Sequence, residues 1–312
     1  MNKLPFELIK RKTLTKKQAK TSSEYGNIPE ERSVKTLLKT GIINIDKPQG
    51  PTSHQTADYI KRILKAKKAG HSGTLDPNVT GVLPTALEDS TKIVQVLLPA
   101  GKEYIALAHF HKTVSEKDIK KEFNNYIGKI EQLPPVKSAV KRQLRERDIY
   151  YIEIMEINKQ DVLFRVGCQA GTYIRKLIHD IGRKIGGAHM AELRRTKAGP
   201  FNESTIVTLQ DLSDAFYYYK EKNNEKFIRY CIKPVETAIA HLPKIYALDT
   251  AVDSLCHGSN LSLPGISKLD SEINPHDLVA VLTLKGELIA LGAARLSSEE
   301  MMTKEKGYAV KT

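Results

Sequence analysis

The stretch Gly70-His71-Ser72-Gly73-Thr74-Leu75-Asp76-Pro77-Asn78-Val79-Thr80-Gly81 sets the terms for the rest of the chain. Pro77 fixes its own φ and pushes Asp76 out of the right-handed helical region. Gly70, Gly73 and Gly81 admit tight or positive-φ conformations on either side. His71, Ser72, Thr74, Asn78 and Thr80 surround the carboxylate with donors and acceptors. Asp76 is therefore presented from a rigid loop, the way a reactive side chain is held against a substrate. The competing reading is an Asx-type turn in which Asp76 only caps its own backbone. The segments on either side of the loop have to separate the two.

Upstream, Gly41-Ile42-Ile43-Asn44-Ile45 reads as a short buried strand. Asp46-Lys47-Pro48-Gln49-Gly50-Pro51-Thr52-Ser53 follows as a rigid turn. Its Lys precedes the Gly, so the Gly-x4-Gly-Lys order of a phosphate loop is missing and a nucleoside triphosphate site is rejected. The spacing predicts a helix over 53–69, capped by Thr52 or Ser53, with Ala57, Ile60, Ile63 and Leu64 on its apolar face and Gly70 as its stop. Lys61, Arg62, Lys65, Lys67 and Lys68 crowd its end. They either compensate the helix dipole or form a phosphate-contacting ridge beside the Asp76 loop.

Downstream, 102–111 alternates as a strand with Tyr104, Ala106, Ala108 and Phe110 on one face, and Tyr104 near its start can project into a cleft. Ser115 and Asp118 open a helix through Ile119, Phe123 and Ile127. Leu133-Pro134-Pro135-Val136 breaks the chain. Lys137, Lys141, Arg142, Arg145 and Arg147 then form a basic stretch, either a loop that folds on RNA or a solvated surface. Two runs, 149–157 and 162–168, read as a hairpin around Asn158-Lys159-Gln160. Gly171-Thr172-Tyr173-Ile174-Arg175 opens a helix striped by Ile174, Leu177, Ile178, Ile181 and Ile185 and ended by Gly186-Gly187. Tyr173 and Arg175 point away from that stripe. Arg175 is either a surface arginine or the bidentate partner of a carboxylate across a cleft. Leu193-Arg194-Arg195-Thr196 lies on a strand, and 217–229 reads as a polar connection. From Lys244 the texture changes to short strands and turns, including a hairpin over 279–293, as in a small β domain.

The totals narrow the partners. The chain has 312 residues, room for one large domain and a small one, and a formal net charge of +13. A charge of that size and a pI near 9.4 favour a polyanionic partner. No apolar run is long enough to span a bilayer and the N-terminus has no continuous apolar h-region, so nucleic acid is favoured over membrane. Cys168, Cys231 and Cys256 are odd in number and far apart. They read as small core residues of a reducing compartment, the cytoplasm, neither disulfides nor a zinc site. Residues 1–38 are polar and basic, either an arm contacting RNA or a tail packing elsewhere.

Five stretches occur in the order seen in TruB-type pseudouridine synthases: Asp46-Lys47-Pro48-x-Gly50-x-Thr52-Ser53, Gly70 to Pro77, Lys102-Glu103-Tyr104, Gly171 to Arg175, and Leu193 to Thr196. Residues 244–312 resemble a PUA RNA-binding domain through His257-Gly258, Pro264-Gly265-Ile266, Gly286-Glu287 and Ser297-Ser298-Glu299-Glu300-Met301. His276-Asp277 stands where such domains often have Gly-Asp. Lys39-Thr40-Gly41 and the 134–142 stretch look closer to the dyskerin branch. The missing Lys-rich tail makes an archaeal version the better match.

The resemblance implies an α+β fold: a mixed, mostly antiparallel sheet flanked by helices and loops over 39–240. A basic extension over 1–38 precedes it, and a β-barrel-like PUA domain follows over 244–312. It implies isomerisation of uridine to pseudouridine in RNA, with no cofactor and no metal. Asp76 would be the nucleophile or assisting base, Arg175 its ionic partner, Tyr104 the ring stacked on the displaced base and a candidate for proton removal, and Tyr173 a second pocket tyrosine. His71 would hold the RNA open, Leu193 would wall the pocket, and Lys47, Lys65, Lys67, Lys68 and Arg142 would complete the RNA-contacting set. The implied setting is the catalytic subunit of a box H/ACA ribonucleoprotein. Its partners would be guide and substrate RNA and three small proteins: zinc-ribbon-like, β-barrel and kink-turn-binding. A stand-alone tRNA T-loop synthase and a non-catalytic RNA scaffold are the alternatives.

Overall fold

Ile42, Ile43 and Ile45 are all fully buried on strand β1 (Gly41–Lys47), the pattern of a strand covered on both faces. The computed structural model describes residues 2–134 and 141–312, so the central part of the basic stretch, including Lys137, lies outside the described residues. Two units form: one from residues up to Pro5 together with Leu38–Ile232, the other from Phe6–Leu37 together with Lys233–Thr312.

In the first unit β1 runs antiparallel along one edge of β3 (Thr80–Leu87), and the short β2 (Ala69–His71) pairs antiparallel with the far end of β3. The start of β3 meets β8 (Ala188–Ala198) in parallel, through Thr80 opposite Arg194 and Gly81 opposite Arg195. From β8 the sheet continues antiparallel through β4 (Lys102–Phe110), β7 (Asp161–Cys168), β6 (Arg145–Asn158) and β5 (Gly128–Gln132). The sheet is thus mixed and mostly antiparallel. The alternation read along 102–111 holds: Ala106, Ala108 and Phe110 are buried, and they pack with Phe164, Val166 and the Leu177-Ile178-Ile181 stripe of α3 (Ile174–Lys184). The β6–β7 hairpin closes with Asn158 opposite Asp161, and Lys159 takes a positive φ of 55° in the turn.

The parallel contact between β3 and β8 depends on a glycine. Gly81 has φ +106°, and a Cβ there would come within 2.2 Å of the Arg195 carbonyl oxygen. The two backbones approach this closely only because no side chain intervenes.

Three expectations are corrected. The helix that follows the Asp46 turn, α1, covers Ser53–Leu64, because Lys65 turns left-handed at φ 53°. Gly70 then lies inside β2 instead of stopping the helix. Thr52 is the cap, in a capping box with Gln55. The region 217–229 is not a polar connection. It is mostly helical, covered by α4 (Leu209–Lys222) and a short helix Lys226–Cys231. Leu212, Ala215 and Phe216 give α4 a buried stripe, which the exposed Tyr217 and Tyr218 obscure in the sequence. Ile127 lies beyond α2 (Glu116–Asn124) and is exposed.

In the second unit the described strands follow the order Thr13–Thr15, Ile266–Asp270, Lys244–Ala247, Leu278–Leu282, Leu288–Ala294, Tyr308–Lys311 and Leu261–Ser262. Among the described residues no pairing joins the two ends of this path. Ile245, Leu269, Val279, Val281, Met301 and Val310 form its apolar centre. The first of these strands comes from the N-terminal extension, which therefore packs: Thr13 sits opposite Asp270, and the Lys16 ammonium donates to the Met301 and Lys304 carbonyls. His276 accepts the positive φ (76°) that the usual glycine would take at its turn.

Gly81→Ala combines a left-handed backbone with a clash against fixed main chain. It is expected to cost about 3 kcal/mol, read as a lowered denaturation midpoint. An unchanged midpoint would mean that the β3–β8 approach is not a constraint.

Candidate active site

The loop between β2 and β3 is fastened through alternate carbonyls. The Gly73 carbonyl accepts from Arg195 Nη2 at 3.3 Å. The Leu75 carbonyl accepts from Ser53 Oγ at 3.2 Å, and the Leu75 N–H donates back to the same oxygen at 2.8 Å. The carbonyls of Pro77 and Val79 accept from Lys47 Nζ at 3.1 and 2.9 Å, and a third Lys47 bond goes to the Pro48 carbonyl at 2.9 Å. Leu75 and Val79 are buried, whereas Thr74, Asp76 and Asn78 are exposed. The Val79 N–H donates to the Asp76 carbonyl at 3.0 Å, so 76–79 form a tight turn whose exposed tip is flanked by the inward Leu75 and Val79. The Asx-turn alternative for Asp76 is not what forms, because its side chain reaches outward to another element. Arg175 Nη2 lies 2.8 Å from Asp76 Oδ2.

Arg175 stands in the first turn of α3, two residues after Tyr173, the residue at the helix N-cap. The buried Gln132 at the end of β5 holds that point from both sides. Its Oε1 accepts from the Tyr173 N–H at 2.9 Å and its Nε2 donates to the Tyr173 carbonyl at 3.2 Å. Both Arg175 and Asp76 side chains are more than half exposed (59% and 55%), so their pairing adds little to stability. It orients the carboxylate and leaves it reachable.

Tyr104 on β4 sits in register with Arg195 on β8. Burial pushes its phenol up, and the Arg195 guanidinium beside it opposes that shift. Arg195 is fully buried, donates Nε to the Val82 carbonyl at 2.7 Å, and is itself pushed down by burial. Its neighbour Arg194 faces the other way, as successive strand residues must, and pairs with Asp46 at 3.0 Å and with Glu203 at 2.6 Å. Leu193 is half-buried against the core of the sheet. His71, at the end of β2, has Nε2 2.9 Å from Nδ1 of His54.

The structure brings Asp76 and Arg175 into contact, and the Asp76 charge also acts on Tyr104 and Lys47. It does not give Lys47 the role of an RNA contact. That side chain is fully buried, its amine is engaged by three carbonyls, and burial pushes its proton affinity down. Lys47 is a clamp beneath the loop. Lys65, Lys67 and Lys68 are exposed between α1 and β2, and Arg142 is exposed beside the undescribed residues. Ser53, Gln132 and Arg195 carry structural roles that sequence reasoning did not assign. The only hint was the Arg194-Arg195 pair, whose members must face opposite sides of a strand.

The family descriptions that match are TruB family pseudouridylate synthase (N terminal domain) over residues 61–174 and tRNA pseudouridylate synthase B C-terminal domain over 175–240. The DKCLD domain matches 1–57 and the PUA domain 243–312. The chain belongs to the TruB family of pseudouridylate synthases, in its dyskerin branch. It is 52% identical over 99% of its length to a protein of Methanopyrus kandleri named probable tRNA pseudouridine synthase B, covering 92% of that protein. The protein of the same name from Pyrococcus furiosus is 54% identical, over 97% of this chain and 90% of its own. Among solved structures, one described as a Cbf5-Nop10-Gar1 complex superposes with a TM-score of 0.94 at 54% identity, over 98% of this chain and 94% of that one. Another, an H/ACA RNP bound to a substrate RNA containing 2′-deoxyuridine, gives 0.94 at 50% identity, over 99% and 96%.

Lys47→Met strands three carbonyls and is expected to cost about 2–4 kcal/mol, read by denaturant unfolding. Because the amine is buried, the dependence of RNA affinity on salt should stay as in the unaltered chain. A shallower salt slope would restore Lys47 to the phosphate-contacting set.

Proposed function

We propose that this chain isomerises uridine to pseudouridine in RNA as the catalytic subunit of a guide-RNA ribonucleoprotein. One observation carries the reading. An exposed carboxylate, Asp76, is held by Arg175 over a fastened loop in a chain that matches, nearly end to end, a protein solved in an H/ACA RNP with substrate RNA. The net charge of +13 and the appended PUA domain suit an RNA ligand. The partners would be guide RNA, substrate RNA and accessory proteins of the kind present in the Cbf5-Nop10-Gar1 complex. No helix among the described residues is long and apolar enough to cross a membrane, and a cytoplasmic setting fits an RNA-modifying complex.

The chemistry is an exchange of bonds within one nucleotide. The bond from C1′ to N1 breaks, the base turns, and C5 bonds to C1′. C5 then loses its proton while N1 gains one, so the overall change is an isomerisation. A uridine inside structured RNA must leave its stack before the sugar is reached, at a cost of a few kcal/mol. Stacking on one aromatic ring returns roughly 1–3 kcal/mol. Asp76 takes the role of nucleophile or assisting base at the sugar, with Arg175 setting its direction. Burial keeps the Tyr104 phenol protonated at neutral pH, so the role its state supports is that of a stacking face and hydrogen-bond donor. Tyr173 completes the pocket beside Arg175, and Leu193 gives it an apolar wall. His71 holds the opened RNA, and Lys65, Lys67, Lys68 and Arg142 hold phosphates without reading sequence.

A second reading, a stand-alone tRNA synthase, is favoured by the names of the relatives. Purified protein incubated with tRNA and with guide-directed RNA, with and without accessory proteins, separates the two. Guide-dependent modification supports the first, and robust tRNA modification by the chain alone supports the second.

Asp76→Asn is expected to abolish pseudouridine formation while leaving RNA affinity within a few-fold. Turnover near that of the unaltered chain in a tritium-release assay would refute the assignment. Replacing Lys65, Lys67 and Lys68 with glutamine should flatten the salt dependence of RNA binding, since each lost phosphate contact releases fewer counterions. An unchanged slope would make the cluster a solvated helix end.

A further inference from the structure

A histidine of α1 stands behind His71. His54 lies in the first turn of α1, next to the Ser53 hydroxyl that fastens Leu75. Its Nδ1 is 2.9 Å from His71 Nε2, and the two rings are tilted at 58° with centroids 5.1 Å apart. The other nitrogen of His71, Nδ1, is buried and has no hydrogen-bond partner among the described residues.

That orphan nitrogen fixes the tautomer by argument. A buried N–H without an acceptor is among the rarest defects in folded proteins, and a bare lone pair is better tolerated. His71 therefore carries its proton on Nε2, which donates to the lone pair of His54 Nδ1, and the exposed His54 holds its own proton on Nε2. Among the described residues the bond to His54 is the one hydrogen bond that sets the plane of the His71 ring. We infer that His54 is a positioning residue that orients His71 for its part in holding RNA at the Asp76 loop. This rests on the reading of His71 given above.

The arrangement needs the bare lone pair of His54 Nδ1 as acceptor. A proton added to His54 goes to Nδ1, the atom that accepts from His71, and the bond is lost. A proton added to His71 goes to its buried orphan nitrogen. The groups facing the pair are Arg195 from β8 and Asp58, one turn along α1 and coupled to His54. Burial first, then His54 and Arg195, push the His71 imidazole down. His71 accordingly stays neutral to lower pH than an ordinary histidine.

The test uses the full chain with its RNA and accessory proteins, comparing His54→Ala, His54→Asn, His71→Ala and the double alanine variant. Single-turnover rates are measured between about pH 5.5 and 8. His54→Ala should slow the reaction by about three- to tenfold at neutral pH, the worth of one hydrogen bond. The amide oxygen of His54→Asn can accept from His71 Nε2, so that variant should keep the rate. The double variant should be no slower than His71→Ala alone, as for a residue that acts through another. An unchanged rate and pH profile in His54→Ala, or a multiplicative loss in the double variant, overturns the proposal. If His71→Ala is itself silent, the role of His71 has failed, and nitrogen NMR of the His71 ring decides the positioning separately. An Nε2 proton shielded from solvent exchange in the unaltered chain and exchanging freely in His54→Ala upholds it, and an exchange rate equal in both overturns it.

Discussion

Two buried cations fastened to main-chain carbonyls hold the site in shape. Lys47 and Arg195 are both fully buried, and between them they occupy the carbonyls of Gly73, Pro77 and Val79 while Ser53 takes that of Leu75. Burying a charge is expensive unless its donors are satisfied, and here carbonyl oxygens satisfy them. The stabilisation is therefore spent on one loop, where most chains would leave mobile backbone. With the chain pinned inward on both sides, Asp76 opens an exposed turn and its side chain faces out.

The upper layer of the site is built the opposite way. Arg175 and Asp76 meet through an exposed pair that contributes little to folding. An exposed pair can rearrange when a nucleotide arrives, whereas a buried one would resist. Rigidity lies underneath and accessibility on top, an arrangement suited to a group that must be placed accurately and then react. The helix start that carries Arg175 is steadied by Gln132 through the backbone of Tyr173, so the arginine does not depend on the ion pair for its position.

Much of this was legible in the residues. The strand alternation of β4, the stripe of α3, the hairpin at Lys159-Gln160 and the presentation of Asp76 all follow from local patterns that the tertiary structure leaves intact. The misreadings have local causes too. A left-handed lysine ended α1 early, at a position where nothing in the sequence marks a stop. Exposed tyrosines disguised the apolar stripe of α4. Lys47 looked like an RNA contact because a lysine in a Gly-Pro turn is normally solvated. Its burial depends on β1 pairing with β3, a long-range contact that no short window reveals. Arg195 was hidden for the same reason: only the parallel approach of β8 to Gly81 brings it under the loop.

The central claim concerns where the target nucleotide goes. A crystal structure of the chain in complex with guide RNA and a substrate RNA that cannot turn over tests it most directly. The account predicts a uridine swung out of its stack, its C1′ in contact with the carboxylate of Asp76 and its base against Tyr104. A uridine still stacked within the RNA, or one whose sugar lies against a different part of the first unit, would contradict it.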